Sequence, residues 1–202
     1  MERTIHTEFP PLLIDVLDMG YKIFDDAPFD LNIIGERTLP ATDNAFDDFI
    51  NVVYMDELGR WIHERFKATT DPGRYWLTKP NYKPCAIMVH PQQARGAWKL
   101  GKHRGKYEAL VQWRPVKLWR DGNKDQHADY NGPVTHELVG INIHKSSSKI
   151  NGSVQVDRWS AGCQVFQNPA DFERFMELVK LQIERCGYHT FTYTLITRQK
   201  EE

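Results

Sequence analysis

Cysteine is scarce in this chain. The three present, Cys85, Cys163 and Cys186, are too few and too widely spaced for a disulfide framework or a zinc knuckle. No apolar run approaches the length of a bilayer span, which excludes insertion by a transmembrane helix. The start, Met1-Glu2-Arg3-Thr4-Ile5-His6-Thr7-Glu8-Phe9, lacks the basic region and apolar core of a secretory signal. Net charge is also nearly absent, at -1, so no global field draws the protein to nucleic acid or an anionic membrane. No repeat and no low-complexity linker breaks the sequence. The expectation is a soluble chain synthesised in the cytoplasm without a signal peptide, and any work outside the cytoplasm needs another exit route.

Aromatic residues, by contrast, are plentiful: six Trp, eight Tyr and ten Phe suit a β-rich core or a groove for sugars or peptides. Residues 1–28 read as an N-terminal helical extension. Pro10 and Pro11 open it, Leu12, Leu13, Val16, Leu17, Tyr21 and Phe24 recur near helical spacing, and Asp25 to Pro28 end it. Residues 29–202 read as one domain, mainly β with flanking helices. Strands are expected at 31–35, at 49–55 and 61–66 around the turn Asp56-Glu57-Leu58-Gly59, at 85–89, 109–112 and 116–119, and finally at 190–196. Thr69, Thr70, Asp71, Pro72 and Gly73 form a turn-rich loop, with Tyr75 and Trp76 placed to line a groove beside it. Asn168-Pro169-Ala170-Asp171 is a helix start, and Phe172, Phe175, Met176, Val179, Ile183 and Cys186 share one face up to Gly187.

Several polar residues have plain structural readings. His63 alternates with apolar neighbours as a surface strand residue, and Cys85 sits in the apolar run of a buried strand. The loop 120–134 carries His127 and Asp129, with His136 beyond, but lacks the close ligand pairs of a zinc site, so no metal is expected. Gly101-Lys102-His103-Arg104-Gly105-Lys106-Tyr107 is either a solvated loop or an anion-binding loop in which Arg104 makes a two-pronged carboxylate contact.

The chemistry concentrates between Val139 and Phe166. In Val139-Gly140-Ile141-Asn142-Ile143-His144, strand alternation puts the three aliphatic residues on one face and Asn142 and His144 on the other. After a gap of fifteen residues from His144 comes the turn Ser160-Ala161-Gly162-Cys163. Gly162 admits backbone conformations closed to other residues, so the Cys163 sulfur can sit exposed on a sharp bend. Amide N–H groups of Gly162 and Cys163 are candidates for an oxyanion site, and Ser160 either tunes the thiol–imidazole pair or caps the turn. Against this stands the plainer reading of His144 as a satisfied strand histidine and Cys163 as a small core residue.

The stretch resembles the catalytic signature of the L,D-transpeptidase (YkuD-like) domain family: a histidine, a spacer, then Ser/Thr-His-Gly-Cys. His144, Ser160, Gly162 and Cys163 fall on that pattern, while Ala161 stands where the family has a second histidine, and Gln164-Val165 replaces the residues that usually follow the cysteine. The resemblance implies an α+β fold built on a β-sandwich, with an N-terminal helix and a C-terminal helix plus strand. It implies a cofactor-free acyl transfer or hydrolysis on peptidoglycan stem peptides through a Cys163 thioester, with His144 as base and then acid. Arg158 or Arg104 would take the part of the missing carboxylate-binding arginine, and Trp159, Gln164, Tyr75, Trp76 and Asn142 would complete the substrate surface. With no signal peptide, a phage-type enzyme fits, acting on the wall after release or as part of a virion. Two alternatives stand beside it: a non-catalytic wall-binding or virion module that keeps the fold, and a thiol peptidase or amidase with a non-wall substrate. The oligomeric state is not legible.

Overall fold

The computed structural model describes residues 9–79 and 84–200. Helix α1 (Pro11–Asp18) precedes strands β1 (Asn32–Leu39), β2 (Asp48–Met55) and β3 (Trp61–Thr69) and the short helix α2 (Arg74–Thr78). Strands β4 (Cys85–Met88), β5 (Gln92–His103), β6 (Tyr107–Gln112), β7 (Val116–Asp121), β8 (Thr135–Glu137), β9 (Ile143–Lys145) and β10 (Gln164–Phe166) follow. Helix α3 (Pro169–Cys186) and strand β11 (Thr190–Gln199) end the described chain. The protein is mainly β with flanking helices.

Eight strands form a closed ring in the order β1-β11-β5-β6-β9-β10-β3-β2, and β4, β7 and β8 make a separate three-stranded sheet. Where stacked sheets were expected, the large sheet returns on itself, which removes its free edges. Two neighbours are parallel, β1 with β11 and β9 with β10. The ring encloses Ile33, Trp98, Leu110, Ile143, Phe166 and Tyr193, and α3 adds Phe172, Phe175 and Val179 to the same core. Burying one such side chain stabilises the fold by about 1.5–3 kcal/mol. The Trp98 indole N–H donates to Ile141 O at 2.7 Å, so its polar atom is satisfied inside. Gly35 faces Tyr193 so closely that any Cβ there would collide with the phenol.

Local sequence explains the helix ends. Asn168 Oδ1 accepts the Ala170 N–H at 2.9 Å and Pro169 occupies the first turn of α3. Gly187, at φ +68°, closes that helix in the left-handed region. Helix α1 lays Leu12, Leu13 and Val16 against Ile34, Val53 and Ile196 on the outside of the ring. It stops at Asp18, well before the Asp25–Pro28 boundary that periodicity suggested, because Gly20 turns the chain at φ +77°. Tyr21 and Phe24 therefore lie beyond the helix. Helix α2 was not anticipated, since its five residues follow a Pro-Gly turn.

A buried polar cluster joins the small sheet to the ring. Arg37, fully buried, donates to Met88 O at 2.8 Å and Thr70 O at 2.9 Å, and it pairs with Asp71 at 3.0 Å. Asp48 accepts the Thr38 and Thr70 N–H groups at 2.8 and 2.7 Å, and Tyr130 donates to Asp71 at 2.7 Å. Burial and the neighbouring Asp71 push the Asp48 carboxyl up, while these donors and Arg37 pull against them.

Candidate active site

Strands β9 and β10 run parallel with Ile143 beside Gln164 and His144 beside Val165. Ile143 and Phe166 point into the ring, so alternation turns His144 and Val165 to the outer face. Val165 packs there with Phe46 and Val156, and Cys163 packs against the same cluster. His144 and Cys163 therefore reach one face from adjacent strands.

The approach to His144 is not the long strand expected from Val139 onward. Only Ile143–Lys145 is strand, and Gly140 sits at φ +84°. The cause is Gln112, whose side-chain oxygen accepts the N–H groups of Val139, Gly140 and Ile141 at 3.0, 2.8 and 2.9 Å. One amide thus stands in for a strand partner.

His144 is 2% exposed, and its Nδ1 lies 2.8 Å from the Lys145 carbonyl. A carbonyl only accepts, so Nδ1 carries the proton and Nε2 carries the lone pair. Nε2 is buried without a hydrogen-bond partner among the described residues. Burial first, then His103 and Arg104, lower the His144 pKa to about 3. Tyr107 Oη lies 3.4 Å from His144 Nδ1, and its hydroxyl is pushed up to about 12 by burial and then by the Cys163 sulfur. Tyr107 thus faces both members of the pair.

The thiol turn is rigidly held. Ser160, fully buried, donates to Cys163 O at 2.8 Å and accepts the Gly162 N–H at 3.1 Å. It caps the turn and does not meet the sulfur. The Gly162 amide is thereby withdrawn from the oxyanion role expected of it, which leaves the Cys163 N–H. Gly162 stands at φ +135°, and a Cβ there would strike the Ala86 carbonyl. Cys163 is partly exposed, with Sγ 3.6 Å from Gly140 O. Burial raises its thiol pKa, and the Asn142 backbone N–H and Arg104 partly offset this.

Gln164 does not line a substrate surface. It is fully buried inside the ring, where it donates to Gly162 O at 3.2 Å and accepts from Tyr193 Oη at 2.8 Å. Alternation sends it to the face opposite His144, so it braces the turn from behind. Asn142 is likewise engaged, accepting the Gln112 N–H and donating to His103 Nδ1, both at 3.1 Å. Arg104 occupies the tip of the β5–β6 hairpin at φ +49°, and its charge acts on Cys163, His144, His103 and Tyr107.

Four other expected residues gather in a second group. The Arg158 guanidinium lies 4.1 Å from the Tyr75 ring centre, and the Trp76 indole donates to Arg158 O at 3.0 Å. Tyr75, Arg158 and Trp159 join Arg74, Thr78 and Lys79 around a cleft of about 520 Å³. The Gly73 N–H donates to Ser160 O at 2.9 Å, which ties this cleft to the thiol turn.

Three contributors escaped the sequence: His103, Tyr107 and Gln112. His103 and Tyr107 both lie within the basic segment 101–107, where the charge of Arg104 is the stronger local signal, and Gln112 carries none. Cys85 is buried with its thiol pushed up to about 12, and Cys186 lies on α3 with Sγ 3.3 Å from Pro28 O. His127 pairs with Asp43 at 2.7 Å. Among the described residues no group of three or more His, Cys, Asp or Glu could hold a metal ion, and no helix is long and apolar enough to cross a membrane. No family model matches this chain, and no curated protein or solved structure matches it either.

Proposed function

We propose that this protein is a cysteine-dependent acyltransferase or hydrolase of the L,D-transpeptidase type, acting on peptidoglycan stem peptides. The observation that carries the reading is the locked tautomer of His144. Its Nδ1–H is held by Lys145 O, and an unpartnered Nε2 lone pair sits on the face that Cys163 shares.

With the thiol raised and the imidazole lowered, the resting pair is neutral rather than an ion pair. The proton passes from Sγ to His144 Nε2, which has no hydrogen bond to the sulfur at rest, as sulfur attacks the peptide carbonyl. The C–S bond forms, and the carbonyl π pair moves onto oxygen, facing the Cys163 N–H. Collapse breaks the C–N bond, and the leaving amine takes the proton from Nε2. The thioester then passes its acyl group to an amine or to water, regenerating the thiol. Arg104 holds a substrate carboxylate close to the sulfur, and the Tyr75–Trp159 cleft carries the peptide beyond it. The phage-type role belongs to the same proposal.

Purified, reduced protein incubated with muropeptides should shorten tetrapeptides or alter crosslinks, read by product mass. Unchanged muropeptides would sink the assignment. One observation favours a second reading. An imidazole near pKa 3 is a weak base, as in a binding module that has kept the fold without catalysis. Under that reading a Cys163→Ala protein binds walls and functions as well as the parent.

A further inference from the structure

Strand β5 carries His103 at one end and Arg95 near the other, a separation of about 26 Å at ~3.3 Å per residue. At the Arg95 end lies a cleft of about 580 Å³ whose walls include Asp30, Arg95, Arg114, Gln182, Tyr188 and Thr192. None of its lining belongs to the thiol site.

Asp30 is only 5% exposed, yet its carboxylate accepts no hydrogen bond from any described residue. Lys22, which shares the cleft, pairs with Asp26 at 3.6 Å. Burial, reinforced by Asp26 and Asp25 and opposed by Lys22, raises the Asp30 carboxyl to about 6. Asp30 lines the cleft, so a donor that pairs its carboxylate enters from that side. Gln182 beside it gives its oxygen to the Leu31 N–H at 3.0 Å. On the rim, Arg95 and Arg114 are exposed and form no ion pair among the described residues. Arg114 Nη1 reaches to within 4.0 Å of where a Gly96 Cβ would stand, so the two arginine positions adjoin.

With Lys22 and Asp26 paired to each other, the cleft is left with the Asp30 carboxylate and the Arg95 and Arg114 guanidiniums, which suit a ligand with both charges. A phosphate or nucleotide would meet the repulsion of Asp30, and a bare divalent cation would find a single free carboxylate. We propose that this cleft binds a small zwitterion, an amino acid or short peptide, with its ammonium or guanidinium group on Asp30 and its carboxylate on Arg95 and Arg114.

The test is titration of the full chain, by calorimetry and amide NMR, with L-arginine, with agmatine (no carboxylate) and with succinate (no cation). L-Arginine should bind saturably and shift the Gly96 and Gly187 amides, with agmatine and succinate at least tenfold weaker. Asp30→Asn should weaken L-arginine at least tenfold. Arg114→Ala, a change at an exposed position, should do the same without touching a buried group. Absence of saturable L-arginine binding, equal binding by the Asp30→Asn protein, or shifts confined to Trp159 and Cys163 would each overturn the proposal. Agmatine binding as tightly as L-arginine would overturn the zwitterion assignment.

Discussion

The imidazoles of His103 and His144 stack with ring centres 3.9 Å apart and planes inclined by 26°. Both rings are held neutral, His103 at about 4 and His144 at about 3, burial being the first cause in each case. Asn142 fixes His103 through its Nδ1, and Lys145 O fixes His144 through its own. His103 thus positions the candidate base and also suppresses its charge. His103→Ala should raise the His144 pKa, because it removes one charged-state repulsion and admits water. NMR titration of the His144 ring reads this directly; an unmoved titration would remove His103 from the site.

Thiol labelling separates the three cysteines. Cys163 is partly exposed, whereas Cys85 is buried with its thiol near 12. An electrophile such as iodoacetamide should modify Cys163 well before Cys85. A thiol raised above its ordinary value forms thiolate late, so the labelling rate should keep climbing above pH 9. A substrate-like electrophile should lose about 10²-fold or more in rate with His144→Ala, the range for removing a general base. Mass spectrometry of the modified peptides provides the check.

Acid should weaken the fold through the same two histidines. Unfolded, each titrates near 6.5, and folded they titrate at about 4 and about 3. As pH falls below 6.5 the unfolded chain takes up protons first, so stability drops until the folded values are reached. Each displaced histidine adds a slope of up to about 1.4 kcal/mol per pH unit. Asp30, raised to about 6, acts with the opposite sign, since its folded form takes up a proton first. Urea midpoints measured from pH 7 to 4 should therefore fall less in a His144→Gln protein than in the parent.

Gln112 supports the site from behind. Its oxygen accepts three backbone N–H groups, and its amide donates to Arg114 O at 3.0 Å and Glu137 O at 2.9 Å. Gln112→Ala leaves the buried Ile141 N–H and four part-buried groups without this partner and should cost about 1–3 kcal/mol of stability. It should also blunt the preference for labelling Cys163, because Gly140 O contacts the sulfur. Denaturant midpoints together with labelling rates would show both effects.

Local order was legible wherever neighbours along the chain decide it. The Asn168-Pro169 start and Gly187 stop of α3, the β2–β3 hairpin and the left-handed turn at Gly162 each follow from residues a few positions apart. The same locality made His144 and Cys163 stand out, since a glycine turn and a strand histidine are short-range patterns. Long-range pairing was not legible. Gln112 reshapes Val139–Ile141 from a strand 27 to 29 residues away in sequence, and no spacing announces it.

Gln164 shows the limit most clearly. Next to Cys163 in sequence, it was expected at the substrate, and the pleat sends it to the opposite face, against Tyr193. The sequence by itself determined which residues can do chemistry and where the chain must turn, because side-chain identity and backbone freedom are local properties. Only the tertiary structure decided which face of β9 and β10 meets the core, that His103 stacks on His144, and that Asp30 stands without a donor. Those outcomes depend on how the eight strands close, and ring closure is set by contacts between residues far apart in the chain.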